Sequence, residues 1–172
     1  SRLVVSTDCA LIASHCFDLD VEVYDRPAHL ALDTSLIADA IRDLIQRLNQ
    51  EGYYPYITLL LEATSFRSSS DINLCLDQLF SNDIDSVATF SEVPVHPSKI
   101  WQIDDQGIPS QHLVDSNAFQ NRQSLRPLYH LNGGCYGFKT SRLPRNTSKL
   151  LFGNQRSIIM PSSRTFDINT TE

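Results

Sequence analysis

The chain carries no CxxC pair, no glycine-rich phosphate loop, no apolar run long enough to cross a bilayer and no excess of basic charge, and each absence removes a class of function. Its four cysteines, Cys9, Cys16, Cys75 and Cys135, lie in or beside apolar runs. That spacing suggests neither a zinc site nor a disulfide framework, and all four read as buried free thiols. With 14 Lys and Arg against 20 Asp and Glu, a net charge of -6, the surface lacks the basic field that non-specific nucleic-acid binding requires. An anionic small substrate stays open, because a few converging cations set a local potential independently of the global charge. Asn132-Gly133-Gly134 is too short for a phosphate loop, and no GxSxG elbow turns the five histidines into a hydrolase triad. The missing secretory signal and missing apolar span, taken with unpaired cysteines, lead to the expectation of a cytoplasmic protein with no membrane partner.

What is present is an ordinary globular composition, 41% hydrophobic, 20% charged and 9% aromatic in 172 residues, enough for one domain with a real core. Val4-Val5-Ser6-Thr7 reads as a strand, Leu11, Ile12 and His15 as the lining of a short helix, and Asp20 to Tyr24 alternates as a second strand. From Leu36 to Leu48 apolar residues recur every three or four positions, an amphipathic helix whose start is signalled by Asp33-Thr34-Ser35. Tyr56 to Leu61 is a continuous apolar run, expected to be a central parallel strand. A helix over Asp71 to Phe80 and a strand over Ser86 to Phe90 follow. The alternation predicts an α/β layered domain with a mostly parallel sheet.

Beyond Val93, prolines and small polar residues break the chain into short extended pieces. These include Ile100 to Ile103, a turn at Asp104 to Gly107, and later strands at Cys135 to Phe138 and Ser157 to Met160. Residues 94–131 read as an arm leaving the main sheet. Ligands of open α/β sheets sit outside the carboxyl ends of strands. Three polar clusters fall there: Ser6-Thr7-Asp8, Glu62-Ala63-Thr64-Ser65 and Asp167-Ile168-Asn169-Thr170. Each alone reads first as a turn or a helix cap.

The ordered set of motifs resembles acylneuraminate cytidylyltransferases. Val4 to Asp8 with Leu11-Ile12-Ala13, then Arg26-Pro27-Ala28-His29-Leu30 and Asp33-Thr34-Ser35, are similar to the front half of that family. Leu60 to Arg67 resembles its LL(Q/E)PTSPLR segment, His96-Pro97-Ser98-Lys99 its HPxK motif, and Asn121-Arg122-Gln123 its RQ segment. Leu131-Asn132-Gly133-Gly134-Cys135-Tyr136 resembles the NGAIY strand, and Phe166 to Thr170 the closing DIDT motif.

The resemblance implies a three-layer, nucleotide-diphospho-sugar-transferase-like (Rossmann-like) α/β fold, with a homodimer built by the protruding segment 94–131. The implied substrates are CTP and an acidic nine-carbon sugar, joined with release of pyrophosphate and helped by Mg²⁺. Asp167 and Arg26 are the implied catalytic residues, and Asp167 and Asn169 the metal ligands. Ser6, Asp8, Glu62, Thr64, Ser65, Lys99, Arg122 and Asn132 are implied to bind nucleotide or sugar, Lys99 and Arg122 through the sugar carboxylate. On their own, Lys99 and Arg122 read first as solvated surface charges, whereas Glu62 and Asn132 read equally as loop ties.

Four departures matter. Asn169 stands where the motif has an aspartate, Ala63 and Phe66 replace family prolines with one residue deleted before Arg67, and His130 stands where an arginine is usual. Nothing ahead of Ser1 supplies the family's phosphate-binding first strand and loop, so the chain by itself is expected to be inactive or badly impaired. Relatives acting on pseudaminic, legionaminic or 3-deoxy-octulosonic acids, and a non-catalytic nucleotide-binding, sugar-binding or dimerising relative, are the competing expectations.

Overall fold

The structure is a computed structural model that describes residues 1–81, 83–114 and 117–164, without the Arg122 side chain. The first strand, β1 (Val4–Thr7), leads into helix α1 (Ala10–Asp18) and pairs in parallel with β2 (Glu22–Asp25), Val5 opposite Val23. Helix α1 buries only Cys16, and the expected lining residues Leu11, Ile12 and His15 face outward. Helix α2 (Ile37–Gln50) begins without a side-chain cap, because apolar Leu36 stands at the N-cap; one residue earlier the Ser35 hydroxyl donates to the His29 carbonyl 2.9 Å away. Two links tie the small sheet to α2: Arg2 bridges Glu22 and Glu51, and the Tyr24 hydroxyl donates to Asp43 while Arg47 lies 4.8 Å over its ring.

The main sheet has the order β3 (Ile57–Leu60), β7 (Tyr129–Lys139), β4 (Ser86–Glu92), β8 (Gln155–Ile159). Strands β3, β4 and β8 run the same way, but β7 lies antiparallel between β3 and β4. The expectation of a mostly parallel sheet is therefore corrected to a mixed one, and β3, expected as a central parallel strand, stands at one end of the strand order with antiparallel β7 as its neighbour among the described residues. The reason is the route of the chain: the segment after β4 leaves and re-enters at the same end of the sheet, closed by the Val93 N–H donating to the Leu128 carbonyl at 2.9 Å. A strand that returns without crossing the sheet must run back antiparallel.

Helices cover both faces, giving three layers. On one face Ala38 and Ile41 of α2 pack with Phe138 and Leu150. On the other, Cys75 and Leu79 of α3 (Ser69–Phe80) pack with Ile84, Val87 and Cys135. The alternation of Cys135 and Phe138 between the two cores follows the period of the strand. Gly137 lets α3 come close, since a Cβ there would press on Leu59, Leu79 and Val87. Three of the expected buried thiols are buried as free cysteines, whereas Cys9 is exposed at the mouth of α1 because the chain turns outward between β1 and the helix.

Within the arm, β5 (Trp101–Ile103) and β6 (Pro109–Gln111) form a hairpin around the expected turn, where Asp104 Oδ1 accepts from the Gln106 and Ile108 N–H groups at 2.9 and 2.8 Å. The arm is shorter than 94–131: Tyr129, His130 and Leu131 already pair with Glu92, Ser91 and Phe90. Among the described residues no helix is long and apolar enough to cross a membrane.

Candidate functional site

The β4–β7 ladder is broken at one place. Tyr136 pairs with Ala88 and Leu131 with Phe90, so residues 132–135 of β7 lie opposite the single residue Thr89. Thr89 holds this bulge from beneath: its Oγ1 accepts from the Cys135 N–H at 2.8 Å and donates to the Cys135 carbonyl at 3.3 Å. Bulges re-aim side chains and recur beside active sites. Here the bulge presents Asn132, Gly133 and Gly134 to the loop that follows β3.

That loop closes on the bulge. The Glu62 N–H donates to the Gly133 carbonyl at 3.4 Å, the Ser65 hydroxyl to the Asn132 carbonyl at 3.0 Å, and Arg67 to the Glu62 carbonyl. Asn132 is fixed at both ends of its amide, donating to Ser91 Oγ at 2.7 Å and accepting from the Gly134 N–H at 3.1 Å. Gly133 is required by two conditions at once: its φ is +69°, and a Cβ would run into the Glu62 carboxylate and the Ser65 hydroxyl. Burial, the charge of Glu62 and a hydrogen bond to it hold the Tyr136 hydroxyl above its ordinary pKa, so it stays a neutral donor beside a carboxylate. Among the described residues the Arg67 Nε is buried without a partner.

A second group lies at the carboxyl ends of β1 and β2. The Arg26 guanidinium donates to the Ser6 carbonyl at 2.6 Å and to Ser6 Oγ at 3.1 Å, while its own N–H donates to the Thr7 carbonyl at 3.0 Å. Buried Thr7 accepts from the Cys9 N–H at 3.1 Å, which shapes the turn carrying exposed Asp8.

The third group is a cleft of about 310 Å³ at the base of the arm, walled by Glu92, His96, Lys99, Arg126 and the apolar residues between them. His96 Nδ1 accepts from the Ser98 N–H at 3.2 Å and lies 2.7 Å from Ser98 Oγ.

The structure thus brings Glu62, Ser65 and Asn132 together and pairs Ser6 with Arg26. Lys99 stands on the arm cleft, and Thr64 is exposed on the turn of the β3 loop. No hydrogen bond or ion pair joins the three groups among the described residues. Asp167, Asn169 and the Arg122 side chain lie outside the described residues, and among those described no group of three or more His, Cys, Asp or Glu could hold a metal ion. In the sequence Gly133 and Tyr136 stand out only as members of the Leu131–Tyr136 motif, and nothing singles out Ser91 or Arg126. The Asn-Gly-Gly run inside an apolar strand was the one available signal, since glycine in a strand marks bulges and close approaches.

No family model matches the chain. It is 30% identical over 135 residues to N-acylneuraminate cytidylyltransferase of Streptococcus agalactiae, covering 78% of this chain and 32% of that protein. It is 31% identical over 173 aligned positions to post-translational flagellin modification protein B of Campylobacter coli, covering 98% of this chain and 72% of that protein. The CMP-N,N'-diacetyllegionaminic acid synthase of Legionella pneumophila is 29% identical, with coverage of 98% and 73%. The chain spans about a third of the length of the streptococcal proteins it matches. Among solved structures, CMP:2-keto-3-deoxy-manno-octonic acid synthetase complexed with CTP superposes with a TM-score of 0.61 at 13% identity, covering 94% of this chain and 73% of that one, a likeness of fold.

Proposed function

The chain belongs to the acylneuraminate cytidylyltransferase family of CMP-sugar synthases, and from that premise we propose that the protein joins CMP from CTP to an acidic nine-carbon sugar of the N-acylneuraminate type and releases pyrophosphate. The observation that carries this reading is the convergence of Glu62 and Ser65 on the Asn132–Gly134 bulge at the carboxyl end of β3. Open α/β sheets bind their ligands at that end.

The sugar hydroxyl forms a bond to the α-phosphorus of CTP as the bond to the β-phosphate breaks and pyrophosphate leaves. Such a transfer depends on positioning and charge neutralisation more than on covalent catalysis. Arg26, pinned by Ser6, supplies a fixed cation to the phosphates. Thr64 and Asp8 are exposed at strand ends, free to hydrogen-bond the nucleotide. Glu62 and the amide of Asn132 orient hydroxyl and amide groups of the ligands, and Lys99 with Arg122 neutralises the sugar carboxylate. Asp167 and Asn169 offer hard oxygen donors that suit Mg²⁺, which would neutralise phosphate charge there.

The arm exposes Ile103, Val114 and Phe119, which supports its reading as a homodimer interface. The buried free thiols Cys16, Cys75 and Cys135 fit a reducing cytoplasm. Asn169 in place of an aspartate favours one second reading, a binding or dimerising relative without activity.

The deciding experiment measures pyrophosphate release by the full-length protein with CTP, Mg²⁺ and a panel of eight-carbon and nine-carbon acidic sugars. Release with an acidic nine-carbon sugar supports the proposal and names the substrate. Silence across the panel from a folded protein overturns it in favour of the binding relative.

A further inference from the structure

Two buried thiols face each other beneath the bulge. Cys75 of α3 and Cys135 of β7 are fully buried in one core cluster with Leu79, Ile84 and Val87. The packing register explains why they meet. A Cβ at Gly137 would press on Leu79, so those two residues mark one point of contact between α3 and β7. As the crossover between the parallel strands β3 and β4, α3 runs back against them and therefore along β7. One turn back on the helix, about 6 Å, stands Cys75; two residues back on the strand, about 6.6 Å, stands Cys135. The thiols form the next rung of the same contact. Cys135 donates to Cys75: this bond and burial push the Cys135 thiol pKa up, whereas the bond holds Cys75 below its ordinary value.

Each thiol is attached to one side of the candidate site. Cys135 ends the bulge, its N–H and carbonyl both held by Thr89 Oγ1, with Asn132 three residues before it. Cys75 lies one turn after Asp71, which caps α3 at Ser68. The residue before that cap, Arg67, donates to the Glu62 carbonyl. A bond between the two sulfurs would join the helix behind the Glu62–Ser65 loop to the bulge on which that loop closes.

We infer that Cys75 and Cys135 are a reversible dithiol–disulfide pair, a modification site through which a hydroperoxide alters the Asn132–Gly134 bulge. The Cys75 sulfur attacks one peroxide oxygen, the O–O bond breaks, and water leaves with the thiol proton, giving a sulfenic acid. The Cys135 sulfur then attacks the Cys75 sulfur, the S–O bond breaks, and a second water carries off the Cys135 proton. Each thiol has lost one electron and one proton, and the peroxide is reduced to two waters. A dithiol reductant restores the pair by exchange. Hydrogen peroxide needs only a local opening of the core, which a bulky disulfide reagent does not fit. An S–S bond of ~2.05 Å is shorter than any contact between free thiols, so closing it pulls Cys135 against its Thr89 bonds and shifts Asn132.

The test uses the full-length protein with C9S, which removes the exposed thiol. The folded protein is treated with hydrogen peroxide, unfolded, alkylated and mapped by mass spectrometry. A linked Cys75–Cys135 peptide, two hydrogens lighter than its parts, is expected and should vanish with dithiothreitol. Hydrogen exchange over residues 132–136 should change with the link. Resting on the function proposed above, the oxidised protein should also bind CTP about tenfold more weakly, with reductant restoring the affinity and peroxide leaving C75A unaffected. Thiols that remain alkylatable after peroxide, a link to Cys16 instead, unchanged exchange over 132–136, or an unchanged CTP affinity in the linked protein overturns the inference. A reduced protein that binds no CTP overturns the proposed function instead, and the linked peptide with the exchange data still decides the pair.

Discussion

Arg164 Nη2 lies 2.7 Å from Asp71 Oδ1, an ion pair that joins the segment after β8 to the first turn of α3 across 93 residues of sequence. The other oxygen of Asp71 accepts from the Ser68 N–H and hydroxyl at 2.8 and 2.7 Å. The same carboxylate therefore caps α3 and anchors the chain three residues before Asp167. Burial pushes the Asp71 carboxyl up, but Ser68 and Arg164 outweigh it and hold the pKa below the ordinary value. D71A is expected to cost about 2–3 kcal/mol in urea denaturation, and R164A less, because Arg164 is more exposed. Since the folded pKa is depressed, this contribution is complete above the ordinary carboxylate range and is lost as pH falls through the folded value. The gap between wild type and D71N should shrink accordingly on acidification.

At Gly133 the backbone and the space both exclude a side chain. G133A should lose about 1–3 kcal/mol of stability and displace Glu62, weakening nucleotide or sugar binding at least tenfold. S65A removes one hydrogen bond and should cost about 1 kcal/mol. Thermal melts with equilibrium binding check both, and a G133A protein with wild-type affinity would dismiss the bulge as a ligand platform.

If Asp167 and Asn169 hold Mg²⁺, adding a carboxylate should tighten the site. N169D is expected to lower the Mg²⁺ concentration needed for half-maximal pyrophosphate release, D167N to reduce the rate at least a hundredfold, and chelation to stop it. A magnesium titration of each variant reads this directly.

Thiol labelling separates the cysteines. Cys9 is exposed and should react rapidly with a disulfide reagent in the native protein. Cys16, Cys75 and Cys135 should react only on unfolding, because burial keeps the reagent from the thiols, and in the folded protein its hydrogen bond to Cys75 and its burial also push the Cys135 thiol pKa up. Counting fast-reacting thiols with and without denaturant tests this.

For the arm, Ile103 and Phe119 are 72% and 88% exposed, so charged substitutions there cannot disturb a core within the chain. I103D with F119D should shift a dimer to monomer in sedimentation velocity while leaving the thermal midpoint of the domain nearly unchanged. A wild type that sediments as a monomer at all concentrations would remove the arm from the interface.

Periodicity by itself determined most of the elements. The three- and four-residue spacing from Leu36 to Leu48 and the apolar run from Tyr56 to Leu61 placed α2 and β3 within two residues, because a helix or strand with buried faces must repeat its apolar residues at the backbone period. The motif order along the chain likewise determined the family. Three things were decided only by the tertiary structure. The antiparallel setting of β7 depends on where the arm re-enters, which no local pattern encodes. The bulge at 132–135 depends on pairing with Thr89, 46 residues away. The cleft shared by Lys99 and Arg126 exists because Val93 meets Leu128, closing the arm at its base. Local sequence sets backbone preference and which face is apolar, but the meeting of distant side chains is set by the packing of the whole chain.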